Sequence, residues 1–139
     1  KIAIFGFSFK ANTNDTRESP AIDICKDLIE EGCFLSIYDP KVDIKQIIND
    51  LGSNPKDQDI ESSQECKWEP SKSISDAVIG ADAILILSDW EEFFNLEYNL
   101  LIEKMRQPSW IFDTRNTLNI ENVKKSGFKV WSLGNGFLV

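Results

Sequence analysis

The sequence predicts an α/β fold: a three-layer sandwich in which helices cover both faces of a mostly parallel sheet. Two observations carry this. Strand and helix signals alternate along the chain, the order that parallel pairing needs. The strand candidates are short, continuous apolar runs such as Ala83 to Leu87, as expected where a strand is buried on both faces.

The elements follow in order. Residues Lys1 to Phe5 read as a buried strand ended by Gly6. Pro20 to Glu31 reads as a helix, with Ser19 as N-cap and Pro20 at the first helical position, where a missing N–H costs nothing. Its apolar residues Ala21, Ile24, Cys25, Leu28 and Ile29 recur at helical spacing, and Gly32 closes it. Phe34 to Tyr38 is the second strand, stopped by Asp39-Pro40 because proline cannot extend a central ladder. Ile44 to Leu51 is a short helix. Gly52 to Pro70 is a polar surface excursion with a short edge strand near Cys66 to Trp68.

Ser71 to Ile79 reads as a helix capped by Ser71 or Ser73, and Ala83 to Leu87 as a strand. Glu91 to Met105 reads as a helix interrupted near Asn95 to Tyr98. Pro108 opens a new element, Trp110 to Phe112 is a strand, and Asp113 to Asn116 a loop. Ile120 to Ser126 is a helix closed by Gly127, and Phe128 to Leu133 the final strand. The sum is a Rossmann-like sheet of about five or six strands, without internal repeats or low-complexity tracts.

The chain has 139 residues, enough for one domain with a real core. Its net charge of −8 argues against nucleic-acid binding, which draws its affinity from clustered Lys and Arg. No apolar run is long enough to span a bilayer, and no signal peptide is expected, since Lys1 opens a strand. Three cysteines, Cys25, Cys33 and Cys66, have no motif spacing. Cys25 and Cys33 read as core thiols and Cys66 as a residue of a polar loop. Histidine is absent, so this chain offers no Cys–His pair and no His-based metal site, and no metal is expected. The reading is a reducing, cytoplasmic location. The chain opens inside a strand without Met and ends on Phe137-Leu138-Val139, so it is expected to be a piece of a longer polypeptide.

Open sheets bind ligands outside the carboxyl ends of their strands. Gly6-Phe7-Ser8-Phe9-Lys10 and Asp15-Thr16-Arg17-Glu18-Ser19-Pro20 occupy that position after the first strand. The loop lacks a Gly-x-Gly-x-x-Gly pattern, so side-chain cations must replace backbone contacts to a phosphate. Lys10 is either such a cation or a solvated lysine. Arg17 offers a planar fork beside a helix N-terminus, whereas Glu18 reads as a first-turn acid complementing the helix dipole. Asp113-Thr114-Arg115-Asn116 follows another strand on the same rim. Arg115 can therefore meet Lys10 on one ligand, or an Asp–Arg pair can simply pin the loop. Trp90 either stacks on a ring or packs beneath a helix start. Asp39 stands where a dinucleotide fold keeps its ribose acid, or is only a strand stop. Asn14-Asp15-Thr16 fits a glycosylation sequon, which a cytoplasmic chain would not use.

The first of these motifs resembles the start of the C-terminal domain of the UDP-glucose 6-dehydrogenases, in the UDP-glucose/GDP-mannose dehydrogenase family. Ile37-Tyr38-Asp39-Pro40-Lys41, Leu87-Ser88-Asp89-Trp90-Glu91-Glu92-Phe93 and Ile111-Phe112-Asp113-Thr114-Arg115-Asn116 agree with it in order and spacing. The likeness covers nearly the whole chain, residues 1–139, and leans to the UDP-glucose branch. It implies a parent enzyme with an N-terminal NAD domain, a central helix carrying the contact of a homo-oligomer, and this UDP-binding domain. The implied reaction is oxidation of UDP-glucose to UDP-glucuronate with two NAD, through a cysteine thiohemiacetal and thioester.

By the same resemblance, Phe9, Lys10 and Arg115 contact the UDP-sugar, and Arg17 reaches the NAD site across the domain interface. The family's nucleophilic cysteine lies in a Cys-Phe-Pro-Lys-Asp segment that this sequence does not contain, so no catalytic residue is assigned here. Thr114 departs from the glycine usual at its place. The alternatives are a dehydrogenase of UDP-N-acetylmannosamine or GDP-mannose, and a non-catalytic module that keeps the fold.

Overall fold

The computed structural model describes residues 1–56, 66–134 and 136–138; the middle of the Gly52 to Pro70 excursion and Val139 lie outside them. In chain order the elements are β1 (Ile2–Phe5), α1 (Pro20–Glu30), β2 (Leu35–Tyr38), α2 (Ile44–Leu51), β3 (Trp68–Pro70) and α3 (Ile74–Ala77). They continue with β4 (Ala83–Ile86), a 3₁₀ turn (Glu91–Phe93), α4 (Tyr98–Lys104), β5 (Trp110–Asp113), α5 (Ile120–Lys125), β6 (Lys129–Ser132) and β7 (Gly136–Leu138).

One sheet runs in the order β3-β2-β1-β4-β5-β6-β7. Every neighbouring pair is parallel except β6 with β7, which is antiparallel. The first six strands thus take the doubly wound order, whose direction of winding reverses between β1 and β4. β7 is an addition to the strands read from the sequence. Gly134, at φ +86, lies in the turn that folds the chain back beside β6.

Alternation along the strands builds two cores, one on each face. Ala3 and Phe5 of β1 face one side with Ile84 and Ile86 of β4, Ile111, Val130, Leu101, Val123 and Phe93. Phe5 and Phe93 stack with ring centroids 5.4 Å apart. Ile4 faces the other side with Leu35, Ile37, Ala21, Cys25, Ile47, Leu51 and Trp68. The helices of the two faces therefore sandwich the sheet. Burial pushes the Cys25 thiol up to about 12, so it stays a neutral core group. Cys33 is only half-buried.

Local chemistry sets the helix ends. Ser19 Oγ accepts from the Ala21 amide and Pro20 stands at the first helical position. At the other end Gly32 N donates to Ile29 O and Cys33 N to Leu28 O, a Schellman closure with Gly32 at φ +93. Helix α3 is shorter than the Ser71 to Ile79 expected. Ser71 N donates to Ile37 O, and its hydroxyl pairs with Ser36, so Ser71 belongs to the sheet edge and Ser73 caps the helix instead.

Candidate functional site

The rim above the switch between β1 and β4 is formed by three loops, following β1, β4 and β5. The β1 loop leaves its strand at Gly6, at φ +94. A Cβ placed there would lie 1.7 Å from Ser88 Oγ, so only glycine lets the β1 and β4 loops touch this closely. Ser88 is buried, and its hydroxyl has no hydrogen-bond partner among the described residues.

The next two amides are already engaged. Phe7 N and Ser8 N donate to Asp39 Oδ2 at 2.8 and 3.0 Å. Asp39 Oδ1 accepts from Lys41 N and Val42 N at 2.9 and 3.0 Å. Asp39 is thus neither a free ribose acid nor a mere strand stop: it fastens the β1 loop to the end of β2. Beyond it, Ser8 Oγ donates to Lys10 O and accepts from Trp90 Nε1, while Phe9 N donates to Asp15 O. Trp90 is buried in the core cluster that contains Phe93, the packing role of its two readings.

With its backbone held on these sides, the loop presents Phe9 and Lys10 outward. Phe9 is 47% exposed, and Lys10 is exposed and forms no ion pair among the described residues. Asp89, just after β4, joins the loops. Its Oδ1 accepts from the Ala11 amide at 3.1 Å and faces a guanidinium nitrogen of Arg115 at 3.7 Å. One carboxylate therefore draws the Lys10 segment and Arg115 to the same part of the rim. In the sequence Asp89 stands directly after an apolar strand, within the run Leu87 to Phe93, but nothing there marks it as the residue that joins the loops.

Arg115 is oriented from below by Asp113, but not through an Asp–Arg ion pair. Asp113 is wholly buried and accepts from the backbone amides of Arg115 and Leu118 and from Thr117 Oγ1. Thr114, standing where glycine was the expectation, uses its hydroxyl to bond Ile86 O at the end of β4. The loop closes through Asn116, at φ +56, whose Oδ1 accepts from Ser132 Oγ.

Arg17 lies elsewhere on the rim. Its side chain is 88% exposed and forks onto Asp15 with contacts of 2.8 and 3.0 Å. That pairing holds the Asp15 carboxyl down at about 2. Glu18 is not in the first turn of α1: it precedes the N-cap in a left-handed conformation, φ +57. On either side of it in the loop, Thr16 and Ser19 turn inward, to Asp50 Oδ2 and to Phe7 O. No cluster of three or more metal-ligating side chains occurs among the described residues.

Comparison with known proteins gives the following. The description "UDP-glucose/GDP-mannose dehydrogenase family, UDP binding domain" matches residues 3–120. A UDP-glucose 6-dehydrogenase of Caenorhabditis elegans is 44% identical over 96% of this chain and 27% of its own length. One from Drosophila melanogaster is 40% identical over 99% of this chain and 29% of its own. The chain thus spans under a third of the curated relatives it matches. Among solved structures, a UDP-N-acetyl-mannosamine dehydrogenase from Staphylococcus aureus aligns over 97% of this chain and 26% of its own at 28% identity and TM-score 0.65. A UDP-D-ManNAc dehydrogenase from Pyrococcus horikoshii covers 99% of this chain and 26% of its own at 27% identity and TM-score 0.70.

Proposed function

Because this chain belongs to the UDP-glucose/GDP-mannose dehydrogenase family, as its UDP binding domain, we propose that it is the C-terminal part of an NAD-dependent UDP-glucose 6-dehydrogenase that oxidises UDP-glucose to UDP-glucuronate. The observation that carries this is the Asp89 junction, which gathers the Lys10 segment and Arg115 at the switch point. Lys10 and Arg115 supply the cations for the diphosphate, and exposed Phe9 supplies an apolar face beside them. Binding the non-reacting nucleotide here fixes the sugar for chemistry performed by another part of the polypeptide.

The β1 turn of this chain does not fit NAD in the manner of a dinucleotide fold. It lacks the glycine fingerprint, and its first amides already hold a carboxylate. On this reading NAD is bound by an N-terminal domain, and Arg17, whose side chain is 88% exposed, is the residue of this chain that reaches it. NAD supplies the hydride acceptor. This chain contributes binding and orientation. The full-length protein works as a homo-oligomer in the cytoplasm.

The test is kinetic. In the full-length enzyme Lys10→Ala and Arg115→Ala should each raise KM for UDP-glucose about 10- to 100-fold, the loss of one charge-assisted hydrogen bond. Arg17→Ala should instead raise KM for NAD. Unchanged constants in all three would remove the assignment. The names of the solved neighbours favour one second reading, a UDP-N-acetylmannosamine substrate. Competing nucleotide sugars offered to one enzyme preparation decide between the two.

A further inference from the structure

In a doubly wound sheet the first free amides after β1 are where a phosphate is received. Here the amides of Phe7 and Ser8 point at Asp39 Oδ2, at 2.8 and 3.0 Å. The second oxygen is equally occupied, by the amides of Lys41 and Val42. Four backbone donors thus converge on one carboxylate, the number an ionised carboxylate can accept with good geometry. The loop is further fixed by Gly6 against Ser88 and by Ser19 Oγ donating to Phe7 O, so these amides cannot easily turn to another anion.

We propose that Asp39 is the specificity-determining residue of this rim: it is a resident anion that closes the phosphate site of the β1 turn, so that a diphosphate must be taken by side chains further along the loop. Two consequences follow. A dinucleotide cannot lay its pyrophosphate across this turn, because the donors are engaged and the carboxylate repels it. A nucleoside diphosphate is displaced outward, toward Lys10 and Arg115. This second consequence rests on the nucleotide reading given above; the first stands on the hydrogen bonds alone.

Removing the carboxylate should reopen the site. In full-length Asp39→Ser the four donors lose their acceptor, and the melting temperature falls. Phosphate or formate, added at constant ionic strength against chloride, should restore it saturably, because an anion that binds only the folded form shifts the equilibrium by mass action. The Phe7 and Ser8 amide resonances should move with the same saturation, and should not move in the wild type. If the variant is unfolded in chloride, refolding driven by phosphate is the same readout.

Asp39→Asn provides the independent arm. Its amide nitrogen must face one pair of N–H donors, so it should destabilise the fold and shift that pair of amides despite its unchanged shape. A phosphate response equal to that of chloride in Asp39→Ser, or an Asp39→Asn protein indistinguishable from wild type, overturns the proposal. UDP titration of wild type and Lys10→Ala, run alongside, tests the nucleotide reading separately. Loss of that reading would leave the phosphate result intact, and the reverse.

Discussion

Gly6 is the residue on which the rim depends most directly. Replacing it with alanine asks for a left-handed backbone and places a methyl 1.7 Å from Ser88 Oγ, with the Ser88 amide also within 2.9 Å. The strain of that conformation and the overpacking together should cost about 3 kcal/mol. Chemical denaturation of Gly6→Ala against wild type checks this, and Gly6→Ala/Ser88→Gly should recover only part of the loss. Asp15 offers a different residue-scale test. Its carboxyl is held at about 2 by hydrogen bonds from Arg17, against an ordinary 3.8. A depressed carboxyl favours the folded form above its ordinary value, and that favour is lost as pH falls through about 2. Carbon-detected titration should find the midpoint near 2, returning toward the ordinary value in Arg17→Ala. At this scale the sequence was only partly legible. Lys10 and Arg115 stood out as cations after strands, but Asp39 and Asp89 reach backbone amides of the distant β1 loop, and Asp113 is spent on amides and a hydroxyl of its own loop. Backbone amides carry no sequence signal.

The elements were legible where local chemistry decides them. Helix α1 announces its start in Ser19-Pro20 and its stop in Gly32, and both work as read. Ser19 also donates to Phe7 O across the loop, so Ser19→Ala removes a cap and strands a carbonyl. It should destabilise by about 2 kcal/mol. Asparagine at this position should recover part of that, since it caps as well. Circular dichroism melts of the three proteins give the comparison. Legibility failed where tertiary partners overrule local preference. Ser71 reads as a cap but is spent on β2. Glu18 reads as a first-turn acid but precedes the N-cap with a left-handed backbone. β7 pairs antiparallel to β6, and its short Gly-Phe-Leu run lacks the length that marks a strand in sequence.

For the whole molecule, alternation of strands and helices gave the parallel sheet and its two covered faces. It could not give the order β3-β2-β1-β4-β5-β6, because strand neighbours in a parallel sheet are set by crossovers rather than by adjacency in sequence. That order is what turns scattered motifs into a site. It places the loops after β1, β4 and β5 side by side at the reversal of winding, where Asp89 of the β4 loop ties all three together. In this chain the β1 turn is closed from within by Asp39, and the exposed groups beyond it are Phe9 and Lys10.

On the proposed function, Lys10 and Arg115 jointly hold the diphosphate of a uridine nucleotide. This is tested most directly by calorimetric titration of the full-length protein with UDP and with GDP, wild type against Lys10→Ala and Arg115→Ala. Wild type should bind UDP in preference to GDP, and each variant should weaken UDP binding about 10- to 100-fold. UDP affinity unchanged in both variants would contradict it.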